Sequence, residues 1–218
     1  MTTPLSPQLI RGGIVLVEPL TGSAQRVIVL QYNPDSISRS FQIKGVGEST
    51  DRSQALRLRG PAVETIKLEA ELDATDQLEF PDANDAVARN GLAPVLAALE
   101  GIVNPTVAQL RNLDALAGRG TLEIAPMEAP LPLFVWSRNR VLPVRVTDMS
   151  ITEEAFDRRL NPIRAKVSLG LRVLSVDDLG FRHRGGAIFM AALGGREGLA
   201  RKSAAGTLAA LGIEGIPS

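Results

Sequence analysis

The stretch "RVLPVRVTDMSITEEAFDRRLNPIRAKVSLGLRVLS" runs from Arg140 to Ser175. Its second half alternates strictly. Ile163, Ala165, Val167, Leu169, Leu171 and Val173 fall on one side, and Arg164, Lys166, Ser168, Gly170 and Arg172 on the other. A period of two is that of a strand with one buried and one wet face. "RVLPVRVTDMSITEEAFD" is an equally long strand before it, and "DRRLNPI" (Asp157 to Ile163) is the turn between. Two long strands joined by a short turn set an antiparallel sheet as the centre of the fold.

The same period extends outward. "TLEIAP" (121–126) and "LPLFVW" (131–136) read as strands, with "WSRNRV" (Trp136 to Val141) as the turn that follows. In Val63 to Ala74, Ile66, Leu68, Ala70 and Leu72 oppose Lys67, Glu69, Glu71 and Asp73. Near the N-terminus "GIVLVE" (Gly13 to Glu18) and "RVIVLQ" (Arg26 to Gln31) form a hairpin across "PLTGSA", and Ile37 to Val46 continues the meander. The corner Tyr32-Asn33-Pro34-Asp35-Ser36 joins the last two. Asn and Asp support Asx-type turns and Pro fixes φ, so it reads as a structural corner. Contact with an adjacent subunit is the other reading. "GVGESTDRSQALRLRGP" (45–61) is a long polar loop or a protruding hairpin arm.

Between residues 82 and 118 the period changes. Val95, Leu96, Leu99 and Ile102 are spaced for one helix face. Asn104-Pro105 reads as an N-cap followed by a first-turn proline, and Val107, Leu110, Leu113 and Leu116 stripe a second helix that stops at Gly118. After Val176 the strands end. "GGAIFMAALGG" (185–195) and "GTLAALGI" (206–213) are short apolar segments fenced by glycines, each too small to fold alone, that dock on their own core or on a neighbour. The order of strands, helix pair, strands and tail predicts a mainly β, α+β domain on antiparallel sheets.

Composition narrows the function. The 218 residues are 44% hydrophobic, enough for a real core. With 24 basic and 24 acidic residues the chain has no broad drive toward nucleic acid or an anionic membrane, and neither partner is expected. Cysteine is absent, which removes thiolate metal sites and cysteine nucleophiles and fits a cytoplasmic origin. No secretory signal pattern and no apolar run of membrane-spanning length is seen. Arginine outnumbers lysine 20 to 4, which reads either as interface ion pairing or as a codon bias.

Chemistry is sparse. His183, the single histidine, lies between two arginines in "FRHRGG", with no nucleophile elbow nearby, and alone cannot supply a zinc ligand set. Carboxylates cluster at Glu153, Glu154 and Asp157, at Asp73 and Asp76, and at Asp177 and Asp178. Neighbours along a strand point to opposite sides, so the reading is of strand caps and wet faces. No glycine pattern forms a phosphate loop, and aromatics are 4% of the chain. No catalytic residue, cofactor or metal site is expected.

Several segments together resemble the tube and baseplate proteins of contractile injection systems, the phage-tail-like particles of bacteria. One is the apolar strand followed by "QYNPDSISRSF", similar to the family's strand and F-N-P-E-S/T, with Tyr32 in the phenylalanine position beside Asn33 and Pro34. The other is Pro130 to Leu174, which resembles the family's second half at Val135, Trp136, Phe156, Asp157, Asn161, Pro162, Arg164 and Ala165. Ser137 stands where glycine is common and Arg158 where proline is common. The resemblance covers residues 12 to 175. It implies a tail-tube-type β-barrel or sandwich over residues 1–175, with 82–118 inserted, 45–61 as an arm, and 176–218 as a docking extension. It implies a hexameric adaptor ring that joins the spike to the inner tube, with baseplate wedge proteins around it, and that initiates the tube. The candidate interface or corner residues are Tyr32, Asn33, Pro34, Asp35, Arg52, Arg57, Arg59, Trp136, Arg138, Arg140, Phe156, Asp157, Asn161 and Pro162. Two alternatives stand beside it. An inner-tube subunit would be shorter and lack the helix pair and tail. A non-enzymatic carbohydrate or cell-wall binding module would need aromatic platforms.

Overall fold

A computed structural model of the chain describes residues 10–45, 57–118 and 129–216. Seven strands form its frame: β1 Gly13–Val17, β2 Ala24–Val29, β3 Ile37–Gln42, β4 Val63–Asp73, β5 Leu131–Ser137, β6 Arg140–Phe156 and β7 Pro162–Val173. They make one sheet in the order β2-β1-β5-β6-β7-β4-β3, antiparallel at every pairing. The expected antiparallel α+β class is therefore the one observed. The sheet is not a closed barrel, because β2 and β3 end it as separate edges.

The β6–β7 hairpin sets the register. Val144 faces Val173, Met149 faces Leu169 and Ile151 faces Val167, so both strands turn apolar side chains to one face. The β4–β7 pairing continues that face, with Ile66 opposite Leu171 and Leu72 opposite Ala165. β1 and β5 extend it with Ile14, Leu16 and Phe134. One continuous core results, in which Ile66, Val144, Ala165 and Leu171 are fully buried. A smaller cluster of Val17, Leu131 and Leu133 lies on the opposite side of β1 and β5, joined by Leu179 and Ile188.

The helices cover what the sheet leaves bare. Between β4 and β5 come α1 Thr75–Leu78, α2 Asp85–Asn90, α3 Ala93–Val103 and α4 Val107–Gly118. Leu92, Leu96 and Leu99, at and within the start of α3, are buried in the main core. Asn104 is not the N-cap of the next helix. Its side chain donates to the carbonyl of Glu100 and so closes α3. Thr106 and Gln109 instead bond reciprocally at the start of α4, a capping-box arrangement two residues later than Asn104-Pro105 suggested. Among the described residues the stripe of α4 has no cover: Val107, Leu110 and Leu116 are exposed.

The C-terminal segment differs more. α5 Val176–Leu179 is followed by α6 Arg184–Ala200, a single helix of 17 residues rather than a short glycine-fenced piece. Gly185 and Gly186 are buried, and a Cβ on Gly186 would sit 2.0 Å from the Gly180 carbonyl oxygen. Glycine here permits close helix–loop approach, which outweighs its low helix propensity. α6 packs along β6 and buries Phe189 in the main core. Among the described residues no helix is long and apolar enough to cross a membrane.

Candidate functional site

With no ligand cleft indicated by sequence, the features that can act on another molecule are the sheet edges and the corners beside them. Both terminal strands are open. β3 pairs only with β4, and β2 only with β1, among the described residues. Their outward residues are unusually apolar for an edge: Val27 is 59% exposed, Val29 52% and Phe41 50%. Unpaired strand backbone beside exposed apolar side chains is a template for pairing with another chain. Beyond Pro143, β6 also lacks a strand partner on the side away from β7 among the described residues.

The corner between β2 and β3 is built by side chains acting as backbone. The Asn33 amide accepts from Gly12 N–H at 2.9 Å and donates to the Ile10 carbonyl at 2.9 Å. Gln31 bridges to the far end of β4, accepting from Asp73 N–H at 2.8 Å and donating to the Asp73 carbonyl at 2.5 Å. Asn33 is therefore a strap on the segment before β1 rather than the head of an Asx turn. Tyr32 and Asp35 are set apart from these bonds. With Pro34, Glu69 and Glu71 they line a polar hollow of about 380 Å³.

The second corner, from Phe156 to Pro162, is similarly tied. The Asp157 carboxylate accepts from Arg159 N–H at 2.7 Å, Asn161 N–H at 2.8 Å and the Asn161 amide at 2.8 Å. The same Asn161 amide donates to the Arg89 carbonyl, and Leu92 N–H donates to the Pro162 carbonyl, so the corner is bolted to α2 and α3. Gly91 has φ +56°, and a Cβ there would lie 2.3 Å from the Pro162 oxygen. Ala155 (φ +51°) and Leu160 (φ +64°) adopt the left-handed region without being glycine, marking a tight, over-determined turn. Phe156 stays half exposed at its rim.

Trp136 is not a surface platform. Its ring stacks on Phe134 with centroids 6.1 Å apart, and a Cβ on Gly12 would come within 2.4 Å of it. Arg138 is exposed in the β5–β6 turn. Arg57 and Arg59 are exposed at the base of the 45–61 loop, where Arg59 N–H donates to the Lys44 carbonyl and Gly45 bridges Leu58. Arg52 lies outside the described residues, as do most of that loop and the "TLEIAP" segment.

Arg140 belongs to a cluster whose other members the sequence reading did not single out. Glu64, with a side chain only 4% exposed, receives Arg39 Nε at 2.7 Å, and Arg196 Nη2 lies 2.8 Å from its second oxygen. The Arg196 contact is off the hydrogen-bonding direction, so that oxygen is charge-paired without a hydrogen bond. Burial first, then the charges of Arg39 and Arg196, lower the pKa of Arg140, and Glu64 partly offsets this. Arg39 and Arg196 thus share one buried carboxylate with Arg140 nearby, and Arg39 also covers the Phe41 ring at 5.0 Å. The signal was present in the β4 alternation: Glu64 is two residues before Ile66, in the apolar register.

Several other titratable groups have structural employment. His183 caps α6, its Nδ1 accepting from Gly185 N–H at 3.0 Å. Asp178 caps α5 through Ser175 and holds Arg172 at 2.6 Å, and Asp177 pairs with Lys44 at 2.7 Å. Glu154 sits 3.5 Å from Lys166. Among the described residues no group of three or more His, Asp or Glu side chains is arranged to hold a metal ion.

No family model matches the sequence. No curated protein matches it either. Among solved structures, it is similar to a chain in the tail of an empty gene transfer agent particle, solved by helical refinement with C6 symmetry. That match has 10% identity over 75% of this chain and 90% of the other, at a TM-score of 0.30. A chain in the virion of the native gene transfer agent particle is 9% identical over 74% of this chain and 90% of its own, at a TM-score of 0.27.

Two outcomes follow from these clusters. Glu64→Gln leaves Arg39 and Arg196 without their shared counter-charge and is expected to lower the unfolding free energy by on the order of 3 kcal/mol in denaturant titration. Arg140→Gln, which removes like-charge crowding, is expected to be neutral or stabilising. At the second corner, hydrogen bonds from the Asn161 side chain and backbone hold the Asp157 pKa below its ordinary 3.8. The unfolded chain therefore binds the proton more readily, and this stabilisation, present above 3.8, is lost as pH falls through the depressed native value. Thermal unfolding followed across that range should show a shallower acid loss in Asp157→Asn than in the parent chain.

Proposed function

We propose that this chain is a structural subunit of a contractile, phage-tail-like injection particle. Six copies form an adaptor ring at the base of the inner tube, joining the spike below to the tube above and initiating tube assembly. Baseplate wedge proteins surround the ring, and the particle is put together in the cytoplasm. Residues 1–175 are the tail-tube-like unit, with 82–118 inserted and 45–61 as an arm, and 176–218 are an added docking segment. The chain performs no catalysis and needs no cofactor.

The observation that carries this reading is the pair of open edges, β2 and β3, flanked by exposed Val27, Val29 and Phe41. A monomer that kept such edges in solution would risk unregulated strand addition, and closing a ring covers them. The motif combination around Asn33-Pro34 and Phe156–Ala165 supports the particular family of particle. Both motifs fall at corners that fix strand direction, as a shared architecture requires. The exposed stripe of α4 and the long C-terminal helix favour the adaptor over a plain tube subunit, which has no use for either.

Native mass spectrometry tests this. The purified chain, alone or with the spike and tube proteins encoded beside it, is expected to appear as a hexamer. A monomer indifferent to each of those neighbours would overturn the ring and favour a binding module.

A further inference from the structure

Among the described residues the chain carries an apolar arm with nothing beneath it and an apolar groove with nothing over it. The arm is residues 206–216, "GTLAALGIEGI". Every residue from 201 to 216 is exposed, with Leu211 at 75% and Ile216 at 80%. Yet the arm is shaped. A short 3₁₀ turn at Leu208–Leu211 is capped by Thr207, whose hydroxyl accepts from Ala210 N–H at 3.3 Å. Gly212 (φ +73°) closes it in the left-handed conformation, and Ile213 N–H returns to the Leu208 carbonyl at 3.2 Å. An apolar peptide held in one local turn loses less freedom on docking than a loose one.

The groove is a cavity of about 430 Å³ whose walls include Ile102, Val103, Leu131, Val146, Leu174 and Leu179. A second hollow of about 890 Å³ adjoins it, sharing Pro19, Ile102 and Val103. Arg145 stands in the first and Arg26 in the second, neither in an ion pair among the described residues. Among the described residues Glu18 is the only acid in the walls, and it is bonded by Gln25 at 2.9 Å. The groove is thus apolar with a net positive rim. The arm is apolar with one acid, Glu214, and no base.

Reach disfavours the arm of the same chain. His183 lines the groove and caps the start of α6, so the 17 residues of that helix carry the chain about 25 Å away. Lys202 and Ser203 remain wound on the last turn, bonded to the carbonyls of Leu199 and Ala200. Only Ala204 to Thr207 are left to return, and four extended residues reach about 14 Å.

We infer that the C-terminal arm of one copy docks in the apolar groove of a second copy, with Leu211 and Ile213 as anchors and Glu214 facing Arg145. Arm and groove are different surfaces of one chain, so each copy gives one and receives one; passed from copy to copy this builds rings or chains, the arrangement inferred here, whereas reciprocal exchange of arms would stop at a pair. It asks only for a second copy and not for a particular particle.

Cysteine is absent from the chain, so a Val103→Cys, Leu211→Cys double variant of the full chain reports the contact directly. Mild oxidation is expected to give a ladder of disulfide-linked multimers on a denaturing gel, where each single variant stops at a dimer. Monomers cross-linked within themselves, or no cross-link at all, would overturn the inference. Independently, Leu211→Asp changes a side chain that touches no core, and it is expected to weaken self-association by about tenfold or more in sedimentation. An unchanged association would also overturn it. A ladder without any hexamer would instead count against the adaptor ring alone.

Discussion

The structure depends on one unbroken apolar sheet face that the sheet itself cannot enclose. Ile14, Phe134, Val144, Leu171 and Ile66 lie side by side across five strands, and their burial is the main source of stability. A fully closed barrel would end the problem by pairing its first strand with its last. Here Gln31 and Asn33 instead tie the β2–β3 corner to the end of β4 and to the segment before β1, while helices cover the exposed flank. Core burial is satisfied within one chain, but among the described residues backbone pairing at the edges is not.

Electrostatics mark the limit of that core. Glu64 is the point where the apolar register of β4 reaches the rim, and it gathers β3 through Arg39 and α6 through Arg196. Two otherwise remote elements are thereby fixed to one strand by a single carboxylate. Such a pair is weak evidence of net stability, since desolvation offsets much of the attraction. Its better-supported consequence is placement: the C-terminal half of α6 is tied to β4 through Arg196, and every residue from 201 to 216 is exposed.

Much of this was legible in the sequence because strand burial is written in alternation. Each strand from β4 through β7 among the described residues fell where a period of two placed it, and the turns at 157–162 and 32–36 fell at their Pro, Asn and Asp signals. Spatial order was not legible. Nothing local reveals that β1 lies beside β5, because that adjacency is a long-range packing choice. α6 is hidden in the sequence because its glycines look like boundaries; the close approach of Gly186 to Gly180 accounts for that glycine, while Gly194 and Gly195 meet nothing. Asn104 was assigned to the wrong helix because an Asn before a Pro suits either end. Of the candidate residues, Arg140 alone joins a charged cluster. Asn33, Asp157 and Asn161 serve corners, Trp136 serves packing, and Arg138 stands free at the surface.

The central claim is that the edges are open in the single chain and closed by other copies. Amide hydrogen exchange, resolved by peptide, reads this directly on β2 (Ala24–Val29) and β3 (Ile37–Gln42). The account requires fast exchange at both edges in the dilute chain and strong protection of both once copies assemble, while β7 stays protected throughout. Edges that are already protected in the monomer, or that exchange equally fast in the assembled form, would contradict it.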